Sequence, residues 1–181
     1  KLKWNHDPVI IPEKILDDWR KIGEKGKNFE EKWNESINKK NPKIKKEIED
    51  IYINSSLKNL EDLILKEKKK YSETKPSLAT RQCSSKVIEN ITNILPQRIG
   101  GSADLSGSNN TKTANSNVIN AKNFSGNYLH YGVIEHGMAA VMNGLALYGG
   151  LIPYGGTFLI FSDYCKPSIR LSALMGLKVI Y

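Results

Sequence analysis

The spacing of apolar residues changes character near Pro76. Before Pro76, apolar residues recur every three or four positions among many charged ones, which predicts amphipathic helices. The apolar positions fall into successive stripes: Ile15, Leu16, Trp19 and Ile22; Phe29, Trp33 and Ile37; Ile44, Ile48 and Ile51; Leu60, Leu63 and Ile64. We expect short helices that form a connecting arm over residues 1–74 rather than an independent core.

After Pro76, the pattern alternates between helix and strand. Ser77 is a candidate cap for a helix that runs to about Leu95. Short apolar runs predict strands at residues 98–101, 128–133, 151–155 and 178–181, with helices at about 135–148 and 161–175. Strands that alternate with helices predict an α/β fold, in which helices flank a parallel sheet over residues 75–181.

The predicted helix that begins at Glu135 has no polar face, so we expect burial on all sides. One stripe is apolar and a second is made of small residues: Met138, Val141, Met142 and Leu145; Gly137, Ala140 and Gly144. In a chain of this size, burial all round requires a partner surface and indicates an oligomer. A central helix within one larger subunit is the alternative.

Glu135 is a carboxylate at the head of an otherwise apolar or small run. A carboxyl group that burial removes from water has a raised pKa, and such a group can exchange protons near neutral pH. Perturbed acids of this kind are common in catalytic sites. The alternative is a structural acid that stabilises the positive end of the helix dipole.

Composition narrows the classes of function. The net charge of +8 comes mainly from lysines that are interleaved with acids before Pro76, and no nucleic-acid-binding module is recognisable, so we expect no nucleic-acid partner. No apolar run is long enough to span a membrane. Cys83 and Cys165 have neither metal-binding nor disulfide spacing, which favours a reducing cytoplasm and predicts no metal site.

Three ordered motifs carry a family resemblance. GGSADLSGSN (100–109), NYLHYGVIEHGMAAVMNGLALYGG (127–150) and PYGGTFLIFSDYCKPSIRLSALMG (153–176) closely resemble the first part of the pyrimidine-binding domain of transketolases. IPEKILDDW and EEKWNE resemble the connector that precedes this domain. Because the chain starts without Met and stops within the apolar run LKVIY, we expect an internal fragment that is inactive alone.

The resemblance implies a two-carbon ketol transfer between phosphosugars in the pentose phosphate pathway, with thiamine diphosphate as cofactor. It also implies a cytoplasmic homodimer with the site at the subunit interface. No GDG…N motif occurs in the chain, so a domain outside it would hold the Mg²⁺ (or Ca²⁺) and the diphosphate. The remaining alternatives are another thiamine-diphosphate enzyme, similar to deoxyxylulose-phosphate synthase, and a non-catalytic basic interaction module.

The resemblance also implies roles for the cofactor-binding residues. Glu135 would hydrogen-bond N1′ of the thiamine pyrimidine and favour the imino form that takes the thiazolium proton. Phe158, Phe161 and Tyr164 match the aromatic positions that enclose the pyrimidine, although aromatic residues at helical spacing are also typical of an ordinary core. The chain departs from many relatives at Ile134, where those carry Arg.

Four further positions match the family. Asp104 and Leu105 would lie beside the cofactor at the subunit interface, although an Asp here also suits a plain turn. Arg81 and Ser108 match positions that hold the sugar phosphate. A guanidinium group suits phosphate because it can donate two parallel hydrogen bonds. A plain surface arginine is the alternative for Arg81.

Overall fold

The structure, a computed structural model, describes residues 4–52 and 58–181. The chain divides into two compact units, Lys1–Glu49 and Asp50–Tyr181. The predicted boundary between residues 74 and 75 stays a prediction.

The first unit consists mainly of one long helix. Helix α1 runs over Glu13–Asn38, where the sequence pattern predicted two shorter helices. The stripes before and after Gly23 and Gly26 therefore belong to one helix, because neither glycine interrupts its hydrogen bonding. No residue of α1 is buried, and Trp19 and Phe29 are largely exposed. Helix α2 follows over Pro42–Tyr52.

Two helices precede the sheet in the second unit, α3 over Lys58–Thr74 and α4 over Thr80–Thr92. Helix α4 does not begin at Ser77 as predicted. Its cap is Ala79, whose backbone N–H donates to Oε1 of Gln82 at 2.9 Å, one half of a capping box. The helix ends before Leu95 because the residue that precedes a proline, here Pro96, is disfavoured in the helical conformation.

The sheet is parallel, as the alternating pattern predicts. Its strands are β1 over Arg98–Ser102, β2 over Tyr128–His130 and β3 over Ile152–Gly156, in the order β2-β1-β3. The strand predicted at residues 178–181 is reduced to a single parallel bridge between Ile180 and Tyr154. Backbone hydrogen bonds flank that bridge, from Gly155 N–H to Ile180 O at 2.9 Å and from Ile180 N–H to Pro153 O at 3.0 Å.

Three helices complete the unit: α5 over Ser106–Asn109, α6 over Glu135–Tyr148 and α7 over Ser162–Leu174. A 3₁₀ turn over Leu159–Phe161 leads into α7. The buried core consists of Ala103, Met138 and Met142, with Tyr131 and Val179 packed against it. Hydrogen bonds join α6 to α7. Asn143 Nδ2 donates to Ser168 O at 2.9 Å, and Ser172 Oγ donates to Asn143 Oδ1 at 2.5 Å.

Within this chain, helix α6 is buried on one side only; the burial all round that the sequence predicts requires a partner surface and stays a prediction. Met138 and Met142 are fully buried, but Val141, which was placed on the same stripe, is 46% exposed. Ala140 and Gly144 of the small-residue stripe are exposed as well. The reason is that the sheet and α7 cover a single side of α6, and the described residues leave the other side open.

Two glycines in β1 allow close packing against tyrosine rings. A Cβ atom at Gly100 would collide with the ring of Tyr154, and one at Gly101 would collide with the ring of Tyr131. Side chains of this chain therefore occupy the space beside both glycines. The guanidinium of Arg98 lies over the Tyr154 ring, 4.4 Å from its centroid.

We expect the substitution Gly100→Ala to lower the free energy of unfolding by about 1–3 kcal/mol, because the added methyl group overpacks the contact with Tyr154. Urea unfolding followed by circular dichroism measures this change. Gly107→Ala is the matched control: a Cβ at Gly107 meets open space, and the change should stay within about 0.5 kcal/mol. Equal effects of the two substitutions would contradict the packing argument.

Candidate active site

The predicted site residues follow the carboxyl ends of the strands. Strands β1 and β3 end in register, with Ser102 opposite Gly156, and β2 ends beside them at His130. Loops at this edge of an open parallel sheet commonly form ligand sites. Asp104 follows β1 and Glu135 follows β2. The aromatic residues of the site follow β3.

A buried serine organises the loop after β1. Ser102 Oγ donates to Gly156 O at 2.9 Å and accepts hydrogen bonds from Leu105 N at 3.1 Å and Asn109 Nδ2 at 3.0 Å. The backbone of Asp104 is left-handed, with φ of 60°, and its side chain is exposed. Leu105 is half-buried at the start of α5. The serine thereby fixes the turn in which Asp104 and Leu105 stand.

Glu135 is the first residue of α6 and is half-buried. Its Oε1 accepts a hydrogen bond from Thr157 Oγ1 at 3.2 Å, and its backbone oxygen accepts one from Cys165 Sγ at 3.3 Å. Among the described residues, no Lys, Arg or His forms a salt bridge with its carboxylate. Burial, and then the negative charge of Glu135, raises the pKa of the Cys165 thiol.

The three predicted aromatic residues form a row. The ring centroids of Phe158 and Phe161 are 5.8 Å apart with an interplanar angle of 24°, and those of Phe161 and Tyr164 are 6.1 Å apart at 36°. Phe158 and Tyr164 are 42% and 63% exposed, so ring surface is available to a ligand. Thr157 and Cys165 flank this row in sequence and both bond Glu135, which places Glu135 beside it.

A cavity of about 760 Å³ is lined in part by Thr157 and Phe158. Arg81, at the start of α4, and Ser108, on α5, both line it together with Phe158. The structure therefore brings the two predicted phosphate residues onto one cavity wall with one of the aromatic residues. The remaining predicted residues do not line this cavity: Asp104, Leu105, Glu135, Phe161 and Tyr164.

Two site residues were missed from the sequence. Thr157 bonds the Glu135 carboxylate, and Ser102 fixes the loop after β1. Each follows a glycine at the end of a strand, Ser102 after Gly101 and Thr157 after Gly156. A glycine in such a place is a sequence signal that other groups pack closely against the backbone. The partners of their hydroxyl groups lie far along the chain, so sequence spacing does not reveal them.

Within residues 4–52 and 58–181, no three His, Cys, Asp or Glu side chains come together as a metal-binding group. The same part of the chain contains no helix of the length and hydropathy that would cross a membrane.

Residues 76–181 match the family model described as transketolase, pyrimidine binding domain. The chain belongs to the transketolase family. It is 46% identical over 181 residues to a transketolase of Sinorhizobium medicae and 41% identical over 181 residues to one of Cereibacter sphaeroides. Those matches cover 100% of this chain, but 26% and 27% of the relatives.

Solved transketolases share the fold. A Pichia stipitis transketolase in complex with sedoheptulose-7-phosphate superimposes with a TM-score of 0.80 at 28% identity, over 96% of this chain and 26% of that one. A Campylobacter jejuni transketolase gives a TM-score of 0.75 at 30% identity, with the same coverage of 96% and 26%. The chain thus spans about a quarter of the length of the transketolases that it matches.

We expect Ser102→Ala to lower the free energy of unfolding by about 1–3 kcal/mol, because the half-buried Leu105 N–H and Asn109 Nδ2 lose their acceptor. Chemical denaturation measures the loss. Ser85→Ala on α4 is the control, since the Ser85 hydroxyl makes no hydrogen bond with the described residues, and its effect should stay within about 0.5 kcal/mol. A Ser102 variant as stable as this control would refute the role assigned to the hydroxyl.

Proposed function

We propose that this chain is the part of a transketolase that receives the pyrimidine ring of thiamine diphosphate. In the full-length protein it would serve the transfer of a two-carbon ketol unit between phosphosugars, in the pentose phosphate pathway of the cytoplasm. The observation that carries the proposal is the Glu135 carboxylate beside a row of three aromatic rings, two of them exposed, at the carboxyl edge of the sheet. The membership of the chain in the transketolase family supports it.

The residues present suit the pyrimidine half of the cofactor. Phe158, Phe161 and Tyr164 offer ring surface for a flat heterocycle, and Glu135 offers a carboxylate that can share a proton with a ring nitrogen. When bound, thiamine diphosphate supplies the stabilisation of negative charge on carbon that ketol transfer requires. We assign Mg²⁺ (or Ca²⁺) and the diphosphate to protein outside this chain, which would make the fragment inactive alone.

Glu135 acts as an acid–base group in this proposal. It stands at the first position of α6, at the carboxyl edge of the sheet. Its carboxylate would exchange a proton with N1′ of the pyrimidine. Asp104 and Leu105, in the turn fixed by Ser102, would contact the same cofactor. Within the described residues, no salt bridge engages the Glu135 carboxylate, so no ion pair competes with the pyrimidine for it.

Arg81 and Ser108 would bind the phosphate group of the sugar. Both side chains are exposed and line the same cavity, which also reaches Phe158 in the aromatic row. A guanidinium and a hydroxyl group are suitable donors for phosphate oxygens. A phosphosugar whose phosphate is bound at Arg81 would extend through the cavity toward the cofactor beside Phe158.

A homodimer would complete the site. The open side of α6 and the turn before α7 present apolar side chains to solvent, among them Ile134, Val141, Leu159 and Ile160. Exposed apolar patches on this scale are typical of protein interfaces. We assign this surface to a second copy of the chain, so that the cofactor lies between the two subunits.

We expect Glu135→Gln in the full-length protein to lower the rate of ketol transfer about 10²–10⁴-fold, because an amide cannot exchange a proton with N1′. A coupled assay with added thiamine diphosphate and Mg²⁺ measures the rate. Glu73→Gln, at the exposed end of α3, is the matched control and should keep full activity. Turnover that is undiminished in the Glu135 variant, or that needs no added cofactor, would sink the proposal.

We expect Arg81→Ala to raise the KM for a phosphosugar about 10–100-fold, because a hydrogen bond to a charged group is lost. The KM for an unphosphorylated ketol donor should change much less. Steady-state kinetics with both donors separates the two effects, and Ser108→Ala should show the same selectivity with a smaller change. If Arg81→Ala weakened both donors equally, the side chain would not be a phosphate ligand.

A further inference from the structure

Thr157 holds the carboxyl group of Glu135. Within residues 4–52 and 58–181, its hydroxyl is the only side-chain group that donates a hydrogen bond to this carboxylate, at 3.2 Å. We propose that Thr157 is a positioning residue, which fixes the Glu135 carboxyl group in the orientation that meets the pyrimidine ring of thiamine diphosphate. The inference rests on the function proposed above and adds a residue to it.

The bond joins two elements that end at the same edge of the sheet. Thr157 directly follows β3, and Glu135 is the first residue of α6. Both residues are half-buried. A glutamate side chain rotates about three single bonds and loses that freedom only when a partner holds its end. Because β3 pairs with β1 along its whole length and Thr157 directly follows β3, Thr157 is a rigid partner for this purpose.

The chemistry of a hydroxyl suits the task better than that of a cation. A carboxylate has about four acceptor positions, and the Thr157 hydroxyl takes one of them on Oε1. The oxygen Oε2 keeps its full capacity for the ring nitrogen. A lysine or arginine at this place would form an ion pair with the carboxylate and oppose its protonation. The residue before Glu135 is Ile134, which supplies no side-chain donor.

The segment that contains Thr157 also positions the aromatic row. Thr157 precedes Phe158, so one peptide unit links the residue that holds the carboxylate to the first aromatic ring of the row. On the far side of the row, the buried Cys165 thiol donates to the backbone oxygen of Glu135. The backbone and the side chain of Glu135 are therefore held separately, by Cys165 and Thr157. Residues of this chain therefore fix the position of Glu135 relative to the aromatic rings.

The test compares isosteric variants of the full-length protein. Thr157→Val keeps the shape and removes the hydroxyl, whereas Thr157→Ser keeps the hydroxyl. Thr92→Val is the matched control, since Thr92 Oγ1 donates to Ile88 O at 2.6 Å within α4 and Thr92 does not line the cavity. Isothermal titration calorimetry measures the Kd of each protein for thiamine diphosphate and for an analogue in which carbon replaces N1′.

We expect the wild-type protein to bind thiamine diphosphate about 10-fold more tightly than the analogue, because the analogue lacks the atom that bonds Glu135. Thr157→Ser and Thr92→Val should keep this ratio. In Thr157→Val the ratio should fall to about 3-fold or less, and kcat should fall about 10-fold while the KM for the phosphosugar stays the same.

A purely structural role gives a different pattern. If Thr157→Val weakened the cofactor and the analogue equally, or changed neither, the positioning role would be overturned while the proposed function stood. A wild-type protein that bound neither compound would overturn both. Circular dichroism and thermal unfolding verify that each variant is folded, and Thr157→Ala replaces the valine variant in the same comparison should that one fail to fold.

Discussion

The loops of the site depend on one buried hydroxyl group at the end of β1. Ser102 bonds the backbone of β3, the turn that carries Leu105 and the side chain of Asn109 at the same time. Ser102 is fully buried and its three partners are half-buried, so the loss of the hydroxyl would cost free energy. The hydroxyl therefore fixes the position of the loop after β1 relative to the end of β3. Thr157 and Phe158 directly follow that end, and Phe158 is the first residue of the aromatic row.

The alternation of helix and strand after Pro76 was enough to predict the parallel sheet, and the bounds of α6 follow from Glu135 and the glycines after Tyr148. Prediction was weaker where the spacing of apolar residues along one helix had to show how far that helix runs and which elements pack against it. The apolar stripe over Glu13–Asn38 indicated helix correctly, but spacing alone could not show that the helix continues through Gly23 and Gly26. The apolar α6 likewise indicated a partner surface, but its residue spacing alone could not show which side the sheet and α7 cover.

At the site, residue type and motif order identified the groups that carry chemistry. Residue type and motif order did not identify Thr157 and Ser102, whose hydroxyl groups hold the site residues in position. Family likeness singled out Glu135 and the aromatic row, and the structure places these residues side by side. The roles assigned to them remain predictions. Thr157 escaped attention because its partner lies 22 positions earlier in the chain, and a hydroxyl group after two glycines has no periodic pattern to mark it.

Cys165 has a consequence for how the site tolerates oxidants. Oxidants and alkylating agents attack the thiolate form of cysteine, and both burial and the nearby Glu135 charge disfavour that form. The thiol that donates to the Glu135 backbone is also 1% exposed. Burial, and to a lesser degree the Glu135 charge, thus lowers the reactivity of Cys165, and the half-buried Cys83 on α4 is the more accessible of the two thiols.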